Sequence, residues 1–198
     1  GIIEYTRQIK EENIESKSIG EQGYILEIGK EHISIESVSE VGIFYGIQSL
    51  IQLIDYWAVE NSDKSIEIRC ARIVDYPSIE FRGWMDDISR GPIPTMEMIK
   101  EQIEILSRYK LNFFNLYTEH VFKVDEHHGI APTEGLTTAE IKEITEYAKR
   151  YHIEVIGNQQ CFAHAEKTLS IPYYNNIKDN AYNVNPGSEE TYRFYEDI

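Results

Sequence analysis

The chain has 198 residues, 41% of them hydrophobic and 27% charged, which is enough for one or two packed domains. Its formal net charge is −15, with 19 basic against 34 acidic residues and no basic run. That balance argues against a nucleic-acid partner and against docking on anionic lipid, and no apolar run approaches the ~18 residues of a membrane span.

Residues 1–22 are polar and poorly periodic, and a ragged segment is expected there. Gly23–Ile28 and His32–Ser37 alternate apolar and polar residues around Gly29-Lys30, the pattern of a hairpin with one buried face. Val41–Trp57 carries Ile43, Ile47, Leu50, Ile51 and Ile54 at helical spacing, widened by Phe44 and Trp57, with Ser39 as its N-cap. Ser65–Val74 alternates again and reads as a returning strand. Residues 1–75 are therefore expected to form a small α/β domain, a sheet with one helix packed on it.

From residue 76 the rhythm changes. Strands are expected at Phe81–Asp87, Leu111–Tyr117 and Ile153–Gly157. Helices between them are expected at Thr95–Tyr109, with Ile99, Ile103 and Leu106 inward, and at Thr137–Tyr151. The second helix opens with the capping box Thr137-x-x-Glu140 and carries Ile141, Ile144, Ala148 and Tyr151 inward. Strand, helix, strand, helix, strand is parallel βα architecture, whose chemistry sits in the loops at the carboxyl ends of the strands. Those loops are Ser89–Pro94, the long Thr118–Leu136, and the stretch from Asn158-Gln159-Gln160 to His164. After Asn185-Pro186-Gly187 an acidic helix starts at Ser188.

The stretch Phe81–Arg90, FRGWMDDISR, crowds Arg82, Asp86, Asp87 and Arg90 among apolar residues. Charges on a buried strand are usually paired or used. Asp86 and Asp87 are neighbours on a strand and point to opposite faces, so they do not act as one catalytic pair. Glu119 and His120 end the second strand, Asn158 and Gln160 leave the third, and carboxylate, imidazole and amide groups at strand ends are good hydrogen-bonding partners for a polar ligand. Loop capping is the plain alternative for Glu119 and His120, and a partly buried, satisfied histidine is the alternative for His164. His127-His128 is expected to be solvated, with no carboxylate or Cys at ligand spacing, so no metal is expected there. No cofactor is implied, and Cys70 and Cys161 make neither a disulfide framework nor a zinc site.

Several stretches together resemble glycoside hydrolase family 20, the β-N-acetylhexosaminidases. These are GIFYGIQSLIQLI (Gly42–Ile54), the run from Phe81 to Asn112, NLYTEH (Asn115–His120), VIGNQQCFAH (Val155–His164) and NVNP (Asn183–Pro186). The rows YTEH and NQQCFAH depart from the common family patterns and look like a divergent branch. The resemblance implies the small N-terminal α/β domain over residues 1–75. It also implies the first part of a (β/α)8 barrel over 76–198, truncated after about three βα units. It implies removal of terminal β-linked N-acetylglucosamine or N-acetylgalactosamine by substrate-assisted retaining hydrolysis, in which the sugar's own acetamido oxygen attacks the anomeric carbon.

In that family an Asp-Glu pair after the fourth barrel strand orients the acetamido group and transfers the proton. No catalytic residue is therefore assigned in these 198 residues: Glu196-Asp197 has the reversed order and reads as a solvated helix face. Substrate binding falls on Arg82, Glu119, His120, Asn158, Gln160 and His164, with Arg82 matching the family arginine that donates to sugar hydroxyls. The alternative for Arg82 is a structural ion pair with Asp86 or Asp87. The partner implied is a carbohydrate with a terminal β-linked N-acetylhexosamine. An incomplete barrel leaves an open strand edge, which self-association is one way to cover. Two other readings fit the same sequence: a non-catalytic sugar-binding or scaffold module on this fold, and an unrelated βα-barrel enzyme.

Overall fold

The computed structural model describes residues 19–57, 59–60 and 66–198. The ragged segment expected over residues 1–22 lies, up to residue 18, outside the described residues. The described chain divides into two compact units: one ends at Arg82 and also takes in Ser107–Leu111, and the other holds Gly83–Leu106 and Asn112–Ile198.

In the first unit, β1 (Tyr24–Ile28), β2 (Ile33–Glu36) and β5 (Ala71–Asp75) form an antiparallel sheet in the order β2-β1-β5. Helix α1 (Glu40–Trp57) packs on it, burying Tyr24, Leu26, Ile28, Ile35, Ile43 and Tyr45 together. Its first turn is capped as the sequence suggests, the Gly42 amide donating to Ser39 Oγ at 3.1 Å. Two glycines let the helix approach the sheet. A Cβ on Gly42 would stand 2.3 Å from the Gly23 carbonyl oxygen, and one on Gly46 would stand 2.5 Å from Ile35 Cγ2. Ile51, expected inward, is 39% exposed.

The single strand expected over Ser65–Val74 is two pieces. β4 (Ile66–Glu67) pairs with β3 (Val59–Glu60), and only Ala71–Asp75 joins the sheet. The reason is register: Ala71 to Asp75 use all five residues of β1, and beyond Ile28 the partner turns away at Gly29.

In the second unit, β6 (Gly83–Asp87), β7 (Phe113–Tyr117) and β8 (Glu154–Asn158) run parallel in the order β6-β7-β8. Helix α2 (Met96–Arg108) connects the first pair and α3 (Thr138–Lys149) the second. The capping box of α3 is formed in both directions between Thr137 and Glu140. Ile99 and Ile103 from α2, Ile144 and Ala148 from α3, and Phe114 and Leu116 from β7 make one buried core. Phe114 and Leu116 face the helices, so Phe113, Asn115 and Tyr117 face the other side of the sheet. The register sets Asp87 beside Tyr117 and Tyr117 beside Asn158, aligning three strand ends.

The region after β8 is more ordered than its sequence suggests. Helix α4 (Glu166–Leu169), a 3-10 turn (Pro172–Ile177) and α5 (Glu189–Glu196) bury Leu169, Tyr174, Ile177, Val184 and Phe194 in a second core. His127 belongs to this core, which corrects the expectation of a solvated histidine. Its Nδ1 is 3.1 Å from the Tyr174 hydroxyl, its Nε2 is 3.1 Å from Asp197 Oδ2, and its ring lies 4.7 Å from that of Phe194. Asp197, expected on a solvated helix face, is the partner in that pair. No group of His, Cys, Asp and Glu among the described residues is arranged to hold a metal ion, and no described helix is long and apolar enough to cross a membrane.

Candidate functional site

The aligned carboxyl ends of β6, β7 and β8 bring a charged cluster together. Arg90, in the loop leaving β6, pairs with Asp87 through Nη1 and lies 3.3 Å from Glu119 Oε2 through Nη2. Its guanidinium also sits 5.1 Å from the centre of the Tyr117 ring. The Tyr117 hydroxyl donates to Glu119 Oε2 at 3.2 Å, and the Ser89 hydroxyl is 2.6 Å from Asp87 Oδ1 and 3.2 Å from Glu119 Oε2. The Glu119 side chain is only 9% exposed and is held from three sides. Its φ is +48°, a left-handed backbone that costs a non-glycine residue about 1–3 kcal/mol and persists where surrounding contacts enforce it.

His120 follows on the same loop. Its Nδ1 is buried without a hydrogen-bond partner, and the nearest Glu119 oxygen, at 3.8 Å, is too far to serve. Burial pushes its pKa below the ordinary value of 6.5 against the pull of Glu119, so the ring is neutral at pH 7. Glu166 Oε2, on the first turn of α4, is likewise buried without a partner, and its charge is felt at His120. Buried polar atoms left unpaired are uncommon in folded proteins, and among the described residues Gln22, Tyr45, Gln102 and Asn115 carry one as well as His120 and Glu166. Asp87 is different. Burial works to raise its pKa, but the Ser89 hydroxyl and amide and the Arg90 guanidinium outweigh that and hold it below 3.8. A carboxyl held ionised in this way suits positioning and does not suit proton donation.

Of the residues picked out in the sequence, Glu119, His120 and Asn158 stand at these strand ends. Asn158 is the last residue of β8, and its side-chain amide lies 4.0 Å from Met85 Sδ. Gln160 follows two residues later, half-buried, and its carbonyl lies 3.4 Å from the Gln159 side-chain amide. His164 is exposed, at the far end of the same loop, with a φ of +55°.

Arg82 is not brought to this cluster. It precedes the amino end of β6 and belongs to the first unit, where its guanidinium donates to the carbonyls of Ile79 at 2.7 Å, Glu80 at 2.9 Å and Lys110 at 2.7 Å, and lies over the Tyr45 ring. The ion pair considered as its alternative is also not what forms at the aspartates: Asp87 is taken by Arg90, and Asp86 accepts from Gln102 on α2 at 3.0 Å. Arg90, Ser89 and Tyr117 are the members that reading the sequence missed as a group. Their signal was the β6–β7 register, which places the residues after Asp87 beside those after Tyr117. A cleft of about 570 Å³ elsewhere in this unit, lined by Lys123, Asp125, His128, Thr133 and Thr137, shares none of these residues.

The first unit matches the family model for glycosyl hydrolase family 20, domain 2, over residues 3–76. A beta-hexosaminidase of Porphyromonas gingivalis is 29% identical over 170 residues, covering 76% of this chain and 22% of its own length. Among solved structures, a chitobiase of Flavobacterium johnsoniae shares the fold with a TM-score of 0.78 at 21% identity, covering 89% of this chain and 29% of that one. An N-acetyl-beta-hexosaminidase of Streptomyces plicatus, solved in complex with Thio-NAglucal, matches at 25% identity and a TM-score of 0.72 over 90% of this chain and 41% of that one. The chain thus spans about a quarter of the length of the curated relatives it matches. The chain is thus similar to glycoside hydrolase family 20: by the domain match in its first unit, by beta-hexosaminidase relatives along most of its length, and by the fold it shares with their solved structures.

Proposed function

We propose that the chain supplies the N-terminal domain and the first three strand–helix units of the (β/α)8 barrel of an exo-β-N-acetylhexosaminidase. In this reading the sugar-facing side is the carboxyl end of β6, β7 and β8. The observation that carries it is Glu119, a nearly buried carboxylate in a left-handed backbone, fixed by Arg90, Tyr117 and Ser89 at the end of a parallel strand. Glu119 accepts hydroxyls of the terminal sugar. Neutral His120, the amides of Asn158 and Gln160, and the imidazole of His164 complete a hydrogen-bonding rim. Arg82 enters through the family motif alone, and to reach sugar hydroxyls its guanidinium has to exchange the carbonyls of Ile79, Glu80 and Lys110 for them.

The proton-transferring Asp-Glu pair of the substrate-assisted reaction is not among these residues. Asp87 is held ionised by its neighbours. Asp125-Glu126, adjacent in the sequence, lies exposed in the loop after β7, not after a fourth parallel strand. The acetamido-orienting Asp and the acid–base Glu therefore belong to another part of the protein. Loss of proton transfer alone costs about two to four orders of magnitude in rate.

The test is an assay of purified 1–198 on a chromogenic β-N-acetylglucosaminide beside the full-length protein. The full-length protein is expected to turn over and 1–198 is not. Turnover by 1–198 near the full-length rate would place the catalytic carboxylates among Asp87, Glu119, Asp125 and Glu126. A full-length protein that binds the sugar without hydrolysing it would favour a non-catalytic binding module, the reading that the constrained state of Asp87 also allows.

A further inference from the structure

His120 and Glu166 come from different segments of the second unit, and the backbone fixes both. His120 sits in a tight turn closed by the Val121 amide, which donates to the Thr118 carbonyl at 2.8 Å, and Val121 itself is buried. Glu166 opens α4. The Ala165 amide before it donates to the Tyr182 carbonyl at 3.1 Å, its own carbonyl accepts from the Ser170 amide at 3.0 Å, and Leu169 is in the core. Both side chains thus start from ordered backbone.

Each has one polar atom that is buried and unpaired, His120 Nδ1 and Glu166 Oε2. Among the described residues with such an atom, Glu166 is the only carboxylate and His120 the only imidazole. They are also electrostatic neighbours. The charged groups that act on His120 are Glu119 and Arg90 from the strand-end cluster and Glu166 and Lys167 from α4, and the two carboxylates favour a proton on the ring. Glu119 is already taken by Arg90, Tyr117 and Ser89, and its nearest oxygen is 3.8 Å from Nδ1. Glu166 is the carboxylate left to serve that nitrogen.

The two unpaired atoms are complementary. A carboxylate oxygen only accepts, and an imidazole nitrogen donates when it carries the proton. One buried water satisfies both, accepting from Nδ1–H and donating to Oε2. With the proton on Nε2 instead, two acceptors would face that water, and the carboxylate's charge would oppose the Nδ1 lone pair. The partner of one ring nitrogen sets which nitrogen holds the proton, and with it the role left to the other.

We propose that Glu166 is a positioning residue for His120. Through one bridging water it keeps the ring proton on Nδ1, and so presents Nε2 as a hydrogen-bond acceptor for a hydroxyl of the terminal sugar. The sugar rests on the β-N-acetylhexosaminidase reading; the hold of Glu166 on His120 rests on the two unpaired atoms.

The experiment is NMR of the full-length protein labelled with 13C and 15N in histidine, the His120 ring signals being those absent from His120→Gln. The unsubstituted protein is expected to show the Nδ1–H tautomer. Glu166→Gln keeps an oxygen acceptor and removes the charge. The Nδ1–H form should persist and the His120 pKa should fall, because a carboxylate that favoured the imidazolium is gone. Glu166→Ala removes the acceptor as well. The ring should become a mixture of both tautomers, and N-acetylglucosamine should bind about tenfold more weakly, the scale of one hydrogen bond. A role in folding alone would lower stability and leave the tautomer and the pKa where they were. An Nε2–H ring in the unsubstituted protein, or a tautomer and a pKa unchanged in Glu166→Ala, overturns the positioning role whatever the sugar does. The expected tautomers and pKa shift, with no binding of N-acetylglucosamine by the unsubstituted protein, uphold the hold of Glu166 on His120 and overturn the sugar reading.

Discussion

Each unit places one cation between acidic and aromatic groups, and the two arrangements differ in what they leave unsatisfied. In the first unit Lys110 Nζ donates to Asp75 Oδ2 at 2.7 Å and the Tyr24 hydroxyl at 2.8 Å, and that hydroxyl also reaches Asp75 and Ser49. The Lys110 carbonyl is taken by Arg82. All four polar groups of that network are paired, and they join β1, β5, α1 and the turn after α2. In the second unit Arg90 likewise bridges Asp87 and Glu119 beside an aromatic ring, but His120 Nδ1 and Glu166 Oε2, next to that network, stay buried and unpaired; left-handed backbone is common to both networks, at Lys110 (φ +58°) and at Glu119 (φ +48°). A network that closes on itself braces a fold. One with unpaired polar groups beside it at strand ends keeps donors and acceptors open to a further partner.

The largest expected effect tests the open network. In the full-length protein, Glu119→Gln removes the charged acceptor proposed for sugar hydroxyls and should lower kcat/KM on a chromogenic β-N-acetylglucosaminide by about 10- to 100-fold. The melting temperature should stay within about 2 °C, because the substitution is isosteric and keeps the hydrogen-bonding oxygen. Unchanged kinetics in a folded variant would return Glu119 to a bracing role and erase the contrast between the units.

The next effect tests the closed network at Arg82. Arg82→Ala strips donors from three carbonyls at once and should destabilise the chain by about 2 kcal/mol, read as a lower urea midpoint. The competing outcome is a drop in kcat/KM of about 100-fold at unchanged stability. That would move Arg82 to the sugar side and show that its carbonyl bonds exchange for hydroxyls.

The smallest effect comes from Lys110→Met. Its partner Asp75 is 44% exposed, so the ion pair is screened and should contribute only about 1 kcal/mol. Its pH dependence identifies it. Burial raises the Asp75 pKa, but Lys110 and Tyr24 outweigh that and hold it below its ordinary 3.8. A depressed folded pKa gives stability that is present above 3.8 and lost as pH falls through the folded value. Burial lowers the Lys110 pKa, but Asp75 and Tyr24 outweigh it and raise it above 10.5, so the lysine's share is present below 10.5 and lost as pH rises past it. The stability gap between the unsubstituted chain and Lys110→Met should be flat from about pH 5 to pH 10 and narrow at both ends. A gap that is independent of pH would show lost packing and no ion pair.

Much of the local structure was legible in the sequence. The hairpin, the amphipathic helices, the Ser39 cap, the Thr137–Glu140 capping box and all three parallel strands follow from period and from residues within four positions of one another. The same methods missed α4 and the 3-10 turn. Those elements are short and have no strong period, and they are held by a core drawn from distant segments, with Tyr174 and Phe194 closing on His127. His127 looked solvated because its neighbours in sequence, Glu126 and His128, are exposed. Its burial comes from residues 47 and 70 positions away.

The chain by itself determined the order and type of its main elements, the residues at its strand ends, and the motifs that carry the family. These depend on side-chain periodicity and on capping between near neighbours, which the linear order already contains. Only the tertiary structure decided that Arg90 takes Asp87 and Glu119 together, that Arg82 is spent on the carbonyls of Ile79, Glu80 and Lys110, and that Phe162 is bonded to Val184 and Ala165 to Tyr182. Each of these pairs depends on how strands are registered or loops are docked. Register is set by the packing of whole faces: a shift of one residue along β7 would exchange Phe114 and Leu116 in the core for Asn115 and Tyr117, and would separate Tyr117 from Asp87.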